Sequence, residues 1–170
     1  LSLSKASKIR FQLAQRDPDN QPTEGITWNM GNQAEYNIFD ASIYESDSGG
    51  HDAWPRSKYL NLWVCKLSGN ALGYANYPGS APNNDGIVIS PRAFGRFGNT
   101  TEPYNLGRTA THEVGHWLSL IHIWGDDPAS SPCSGKDFTG TQQSWDDTPN
   151  QAQQTYRCKS FPALDDCATS

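Results

Sequence analysis

The chain has 170 residues, enough for one domain with a core of its own, and carries thirteen Lys and Arg against eighteen Asp and Glu. That acidic balance leaves no basic patch for phosphate contacts and sets nucleic acid aside as a partner. No apolar run approaches the roughly 20 residues that cross a bilayer, so no membrane is expected either. Six Trp, seven Tyr and six Phe argue against a disordered chain. Abundant Gly, Asn, Ser and Pro with scarce Lys reads as an extracellular, loop-rich protein.

In chain order, "KIRFQLAQ" (8–15) alternates apolar and polar residues through Ile9, Phe11 and Leu13, which predicts a half-buried strand. "RDPDNQPTEG" (16–25) is a turn-rich loop. Within residues 26–58, "AEYNIFDASIYES" (34–46) could form a short helix or a strand, and "DSGGHDAWP" (47–55) is a loop. His51 lies there in a Gly/Asp setting and reads as a solvated side chain. "KYLNLWVCKL" (58–67) predicts a central strand, "ALGYANYPG" (71–79) a short strand closed by Pro-Gly, and "DGIVIS" (85–90) a third. "YNLGRTATHEVGHWLSL" (104–120) is the one convincing helix. After "WGDD" (124–127) no regular pattern is visible. With no repeat and no linker, residues 1–170 read as a single domain. Strands followed by a helix predict an α+β or α/β fold.

The four cysteines are Cys65, Cys133, Cys158 and Cys167. No Cys-x-x-Cys pair points to zinc. Cys65, within an apolar run, reads as a buried free thiol. The other three fall in the irregular tail, as in a stapled secreted protein, and their odd number leaves one partner unaccounted for.

The helix carries the chemistry. His112 and His116 are four apart and share one helix face, so two imidazoles can meet one zinc ion. Glu113 follows the first of them and stands beside the metal, placed to take a proton from a water held there. His122 is the third candidate ligand. On a continuous helix it would point about 120° away from His116, so the helix must end and the chain turn back. A glycine in the left-handed region normally does this, and here the position is Ser119. Two outcomes are open: Ser119 adopts the left-handed conformation at a cost on the order of 1 kcal/mol, or it ends the helix without that turn and shifts His122. The alternative is a helix carrying incidental histidines. His122 at this offset, followed by the loss of helical pattern, disfavours it.

At these residues the chain resembles the metzincin metalloproteases, and among them the pappalysin family in its ulilysin and cytophagalysin branch. The likeness runs through "DPDNQPTEGI", "DAWPRSKYLNLWVCKLSG", "LGYANYPG", "DGIVIS", "TATHEVGHWLSLIHIWGDD", "DDTPNQ" and "YRCKSFP", over nearly all of residues 9–167. It implies a zincin-like α+β fold: a twisted, mainly parallel sheet with an antiparallel edge strand, one zinc-binding helix, then an irregular region stapled by disulfide and calcium. It implies a secreted zinc endopeptidase, with zinc on His112, His116 and His122 and with Glu113 as general base and acid. The strand at Leu72, Gly73, Tyr74 and Ala75 would pair with an extended substrate. Calcium is implied near Asp137, Asp146, Asp147 and Thr148, all hard oxygen donors. A disulfide is implied between Cys133 and Cys167, with Cys158 paired to a cysteine further on. Substrates would be proteins or peptides, with a basic residue after the scissile bond, and the protein a monomer.

The chain departs from the family pattern at Ser119, in lacking the methionine turn below the zinc (Met30 is the single methionine), and in the shortness of residues 1–8. It therefore reads as the middle of a catalytic domain. The rival readings are an inactive protease-like fragment with a structural metal and a secreted carbohydrate- or protein-binding module. The intact His-Glu-x-x-His disfavours the first rival. The second predicts no zinc, and Trp and Tyr beside Gly and Asn more often serve cores and turns than sugar platforms.

Overall fold

A computed structural model of the chain describes residues 8–77 and 79–122. Two compact units divide the chain, Leu1–Leu118 and Ser119–Ser170, and the first carries every element named below. Three strands, β1 (Asn61–Val64), β2 (Gly73–Ala75) and β3 (Gly86–Ile89), precede one helix, α1 (Arg108–Trp117). Short 3-10 turns occupy Ala41–Tyr44, Ser46–Ser48 and Pro91–Ala93.

The strands form one mixed sheet in the order β1-β3-β2. β1 runs parallel to β3, with Asn61 opposite Gly86 and Val64 opposite Ile89. β2 runs antiparallel to β3, with Gly73 opposite Ile89 and Ala75 opposite Ile87. The expectation of a mainly parallel sheet becomes one parallel and one antiparallel pairing. The antiparallel edge strand stands as expected.

β3, not the 58–67 segment, is the central strand. All four of its residues are buried, and Ile87, Val88 and Ile89 are fully so. A short run of β-branched residues covered on both faces reads as continuously apolar. β1 alternates instead: Trp63 is 8% exposed between Leu62 at 39% and Val64 at 44%. Only one face of β1 is covered, as befits a flanking strand.

Two cores lie on opposite faces of β3. On one face Val88 packs with Tyr36, Ile43, Tyr44, Trp63, Leu67 and Tyr74. On the other, Ile87, Ile89 and Ala93 pack with Leu72, Ala75, Ala110, Val114 and Trp117. The helix residues 110, 114 and 117 follow the spacing of a single apolar helix face. The polar atoms of the first core are paired. The Trp63 indole N–H donates to the His51 carbonyl at 2.8 Å. The Tyr44 and Tyr74 hydroxyls share a hydrogen bond of 2.8 Å, and the Asn76 amide donates to the Tyr44 oxygen at 3.2 Å. Burial raises the pKa of both phenols, so they stay neutral donors.

Further expectations are corrected. Residues 8–15 form no strand; Ile9, Phe11 and Leu13 are 55%, 57% and 61% exposed. Alternation alone does not make a strand, and the stretch runs on into the isolated bridge between Arg16 and Pro22. Residues 26–58 hold neither regular helix nor strand but the first two 3-10 turns, the first capped by Asp40, whose side chain accepts from the Ser42 N–H. The helix is shorter than 104–120, because Gly107 at φ 71° breaks the chain before Arg108. His51 is only half-exposed and its Nδ1 lies 2.8 Å from the Asp52 carbonyl, so it is anchored rather than merely solvated. Cys65 is a free thiol as expected, though only half-buried, and burial pushes its pKa up to about 11.

If β3 is the core strand and 8–15 is not a strand, two truncations should separate cleanly in chemical denaturation. Ile87→Ala should cost about 3 kcal/mol, and Ile9→Ala should stay within about 0.5 kcal/mol of the parent.

Candidate metal centre

Helix α1 lies against β2 and β3 with Ala110, Val114 and Trp117 turned to the sheet. That rotation fixes the rest. Glu113, between the sheet-facing positions, is only 6% exposed. His112 is exposed and His116 half-exposed. Their Nε2 atoms are 3.0 Å apart, with ring centroids 4.5 Å apart and ring planes at 89°. The Tyr77 ring, just after β2, meets the His116 ring edge-on at 6.0 Å.

The two outcomes left open for Ser119 are resolved. The helix ends at Leu118, whose N–H donates to the Val114 and Gly115 carbonyls. Ser119 then takes φ 71°, the left-handed conformation normally given to glycine. Three residues on, His122 offers a ring nitrogen such that the ligand atoms of His112, His116 and His122 all lie within 4.8 Å of one another. Tetrahedral zinc with Zn–N bonds near 2.0–2.1 Å sets its ligand nitrogens about 3.4 Å apart. Three imidazoles converging at this range are a donor set suited to zinc, which in catalytic sites takes three protein ligands and leaves a fourth position for another.

Glu113 owes its burial to a gap in β2. A Cβ added to Gly73 would stand 3.3 Å from Glu113 Cγ, 3.4 Å from its Oε1 and 2.8 Å from the Val88 carbonyl. Desolvation raises the Glu113 carboxyl from 4.5 to about 7. A carboxyl tuned near neutrality suits proton transfer in both directions.

The four residues singled out by sequence, Leu72 and the three of β2, divide by their orientation. Tyr74 buries its side chain in the core away from the helix, and Leu72 and Ala75 pack on the helix side. The Leu72 carbonyl accepts from Ser90 and the Asn76 N–H donates to Gly86, both toward β3. By the alternation of an antiparallel ladder, the N–H and C=O groups of Gly73 and Ala75 then point to the opposite edge. No described strand pairs with that edge. Asp137, Asp146, Asp147 and Thr148, expected to hold calcium, and the Cys133–Cys167 pair with Cys158 lie outside the described residues.

Sequence reasoning reached Tyr77 only as the end of the strand expected to line the cleft, and did not single out Asp85. Asp85 is a buried carboxylate that accepts from the Trp117 indole N–H at 2.7 Å and pairs with Arg56 at 3.2 Å. Its partners are 29 and 32 residues away, so no local spacing announces it.

A family model described as pregnancy-associated plasma protein-A, of the M43 peptidases, matches residues 43–167. An extracellular metalloprotease of Verticillium alfalfae is 36% identical over 110 residues, which are 56% of this chain and 38% of that protein. An extracellular metalloprotease of Arthroderma otae is 33% identical over 119 residues, 61% of this chain and 40% of that protein. Among solved structures, mature mirolysin of Tannerella forsythia in complex with a cleaved peptide superposes with a TM-score of 0.82 at 45% identity. That match covers 94% of this chain and 57% of mirolysin. The chain thus spans well under two thirds of the length of each of these relatives.

Two outcomes follow for the site. Ser119→Gly should raise stability by on the order of 0.5 kcal/mol, the relief of the left-handed strain less the greater freedom of glycine in the unfolded chain. Ser119→Val should lower it, since a β-branched residue tolerates positive φ least. Denaturant midpoints of the three chains check this order. For Glu113, the folded pKa is raised, so its contribution to the stability of the metal-free chain is complete below about 4.5 and is lost as pH rises through about 7. In EDTA, the stability of the parent minus that of Glu113→Gln should therefore fall across that window, and a flat difference would show the carboxyl to be unperturbed.

Proposed function

The chain belongs to the pappalysin family of M43 peptidases, and on that premise we propose that it carries the catalytic centre of a secreted zinc-dependent endopeptidase. The observation that carries the reading is the approach of three histidine nitrogens to within 4.8 Å beside a buried glutamate on the same helix. His112, His116 and His122 hold the metal. Zinc there would supply a Lewis acid that polarises a peptide carbonyl and makes a water acidic enough to attack at neutral pH.

The remaining work falls to the chain's own groups. Glu113 takes the proton of the attacking water and passes it to the amine that leaves. Burial keeps that carboxyl in a low-dielectric setting and holds its affinity for a proton near the working pH. The edge of β2 with which no described strand pairs binds the substrate backbone as an added strand through the N–H and C=O groups of Gly73 and Ala75. Such binding is indifferent to side chains, so it suits an endopeptidase acting on extended segments. Tyr77, against His116, borders the same edge.

Secretion is supported by the relatives named extracellular metalloproteases. No helix of the described residues is long and apolar enough to cross a membrane. Peptide substrates accord with the cleaved peptide bound by mirolysin. A preference for a basic residue after the scissile bond belongs to the same reading and rests on the family resemblance alone.

Metal analysis of the purified chain should give about one zinc, lost in His116→Ala. Glu113→Gln should keep the zinc and lose roughly 10²–10⁴-fold in the cleavage of an unfolded protein substrate. Cleavage undiminished in Glu113→Gln, or no zinc in the parent, would defeat the reading. Zinc without cleavage by the parent would favour the rival reading of a metal-binding, catalytically inactive chain.

A further inference from the structure

Asp85 is the buried carboxylate that the proposed chemistry leaves unused. It precedes β3 at 7% exposure and serves three partners. Its Oδ1 accepts the Trp117 indole N–H at 2.7 Å. Its Oδ2 accepts from Arg56 Nη1 at 3.2 Å, and the same Arg56 nitrogen donates to the Ser80 carbonyl at 2.7 Å. Its backbone carbonyl accepts from Asn61 Nδ2 at 3.3 Å, on the first residue of β1. A buried carboxylate that accepts from an indole and a guanidinium is held from two sides, and its bond to the indole at 2.7 Å is the shorter of the two.

What this carboxylate holds is the last turn of α1. Trp117 is the residue after His116 and the last of the helix, and its ring packs with Ile87, Ile89 and Ala93. Apolar packing alone lets a helix end roll and slide by small amounts. A hydrogen bond from the indole edge to a carboxylate anchored in the sheet does not. The roll of that turn sets where His116 Nε2 stands relative to His112 Nε2, 3.0 Å away.

We propose that Asp85 is a positioning residue for the metal centre: through the Trp117 indole it fixes the roll of the helix end and so the placement of His116. Its role is that of an outer partner one step further removed than usual, reaching the ligand through the neighbouring residue of the same helix. The inference rests on the zinc reading above and takes zinc held by the three histidines as its premise.

The test uses the full chain and four variants. Trp117→Phe keeps the aromatic packing and removes the N–H. Asp85→Asn keeps an oxygen for the indole and removes the charge, and Asp85→Leu removes both. Arg56→Gln cuts the other arm of the carboxylate. Zinc affinity is read by competition with a chromogenic chelator, geometry by the visible spectrum of the cobalt-substituted chain, and stability by denaturation without metal. Trp117→Phe and Asp85→Leu should lose about tenfold or more in zinc affinity, in the range found when outer partners of metal ligands are removed, and should alter the cobalt spectrum. Asp85→Asn should restore both, and Arg56→Gln should leave both near the parent. Parent-like zinc affinity and cobalt spectrum in Trp117→Phe would overturn the proposal. So would affinity that merely tracks metal-free stability across all four variants. A parent that binds no zinc would overturn the zinc reading and this inference with it, whereas a parent that binds zinc and a Trp117→Phe that binds it equally would overturn this inference alone.

Discussion

The site depends on how closely α1 approaches the sheet, and that approach is set at Gly73. Any side chain there would meet the Val88 carbonyl at 2.8 Å and the Glu113 stem at 3.3 Å. With only hydrogen at that position, Ala110, Val114 and Trp117 reach the apolar face of β3, and Glu113 drops into the space between. The histidines then have nowhere to point but outward. Burial of the glutamate and exposure of the histidines are one consequence of a single missing methyl group.

The second constraint acts at the other end of the helix. Bringing the ring of His122, six residues after His116, back toward the other two histidines requires the helix to stop within one turn and reverse. Ser119 does so at φ 71°, with the Leu118 N–H already bonded into the final turn. The strain is of the order of 1 kcal/mol. That is small beside the binding free energy of about 10 kcal/mol or more that structural zinc sites supply when metal is present. A serine is therefore tolerable where a glycine would be relaxed, and metal binding, on the function proposed above, would compensate the difference.

Much of this was legible in the sequence because the signals are local. His112, Glu113 and His116 lie within five residues, and their geometry follows from helix spacing alone. The location of the helix, the short strand at 73–75 and the strand at 86–89 followed from periodicity and turn residues. What was misread depends on neighbours that a single segment does not display. The alternation in 8–15 is a property of the segment, but a strand needs a second chain beside it. The rank of β1 and β3 within the sheet depends on which faces become covered, and the evenly apolar "GIVI" was the better sign of the centre than the longer "KYLNLWVCKL". Asp85 was invisible for the same reason: its partners Arg56 and Trp117 are close only in the folded chain.

The outer edge of β2 also carries a hazard. Among the described residues no strand pairs with this edge, and an exposed row of backbone donors and acceptors does not discriminate between one extended partner and another. Proteins usually guard such edges with charge, bulges or brevity. Here brevity is the visible device: the strand is three residues long, and its sequence runs on into Tyr-Pro-Gly. A strand this short can hold a guest that is also gripped elsewhere, yet gives two identical edges too few bonds to stay joined. The edge can thus stay open for pairing without becoming a seed for aggregation.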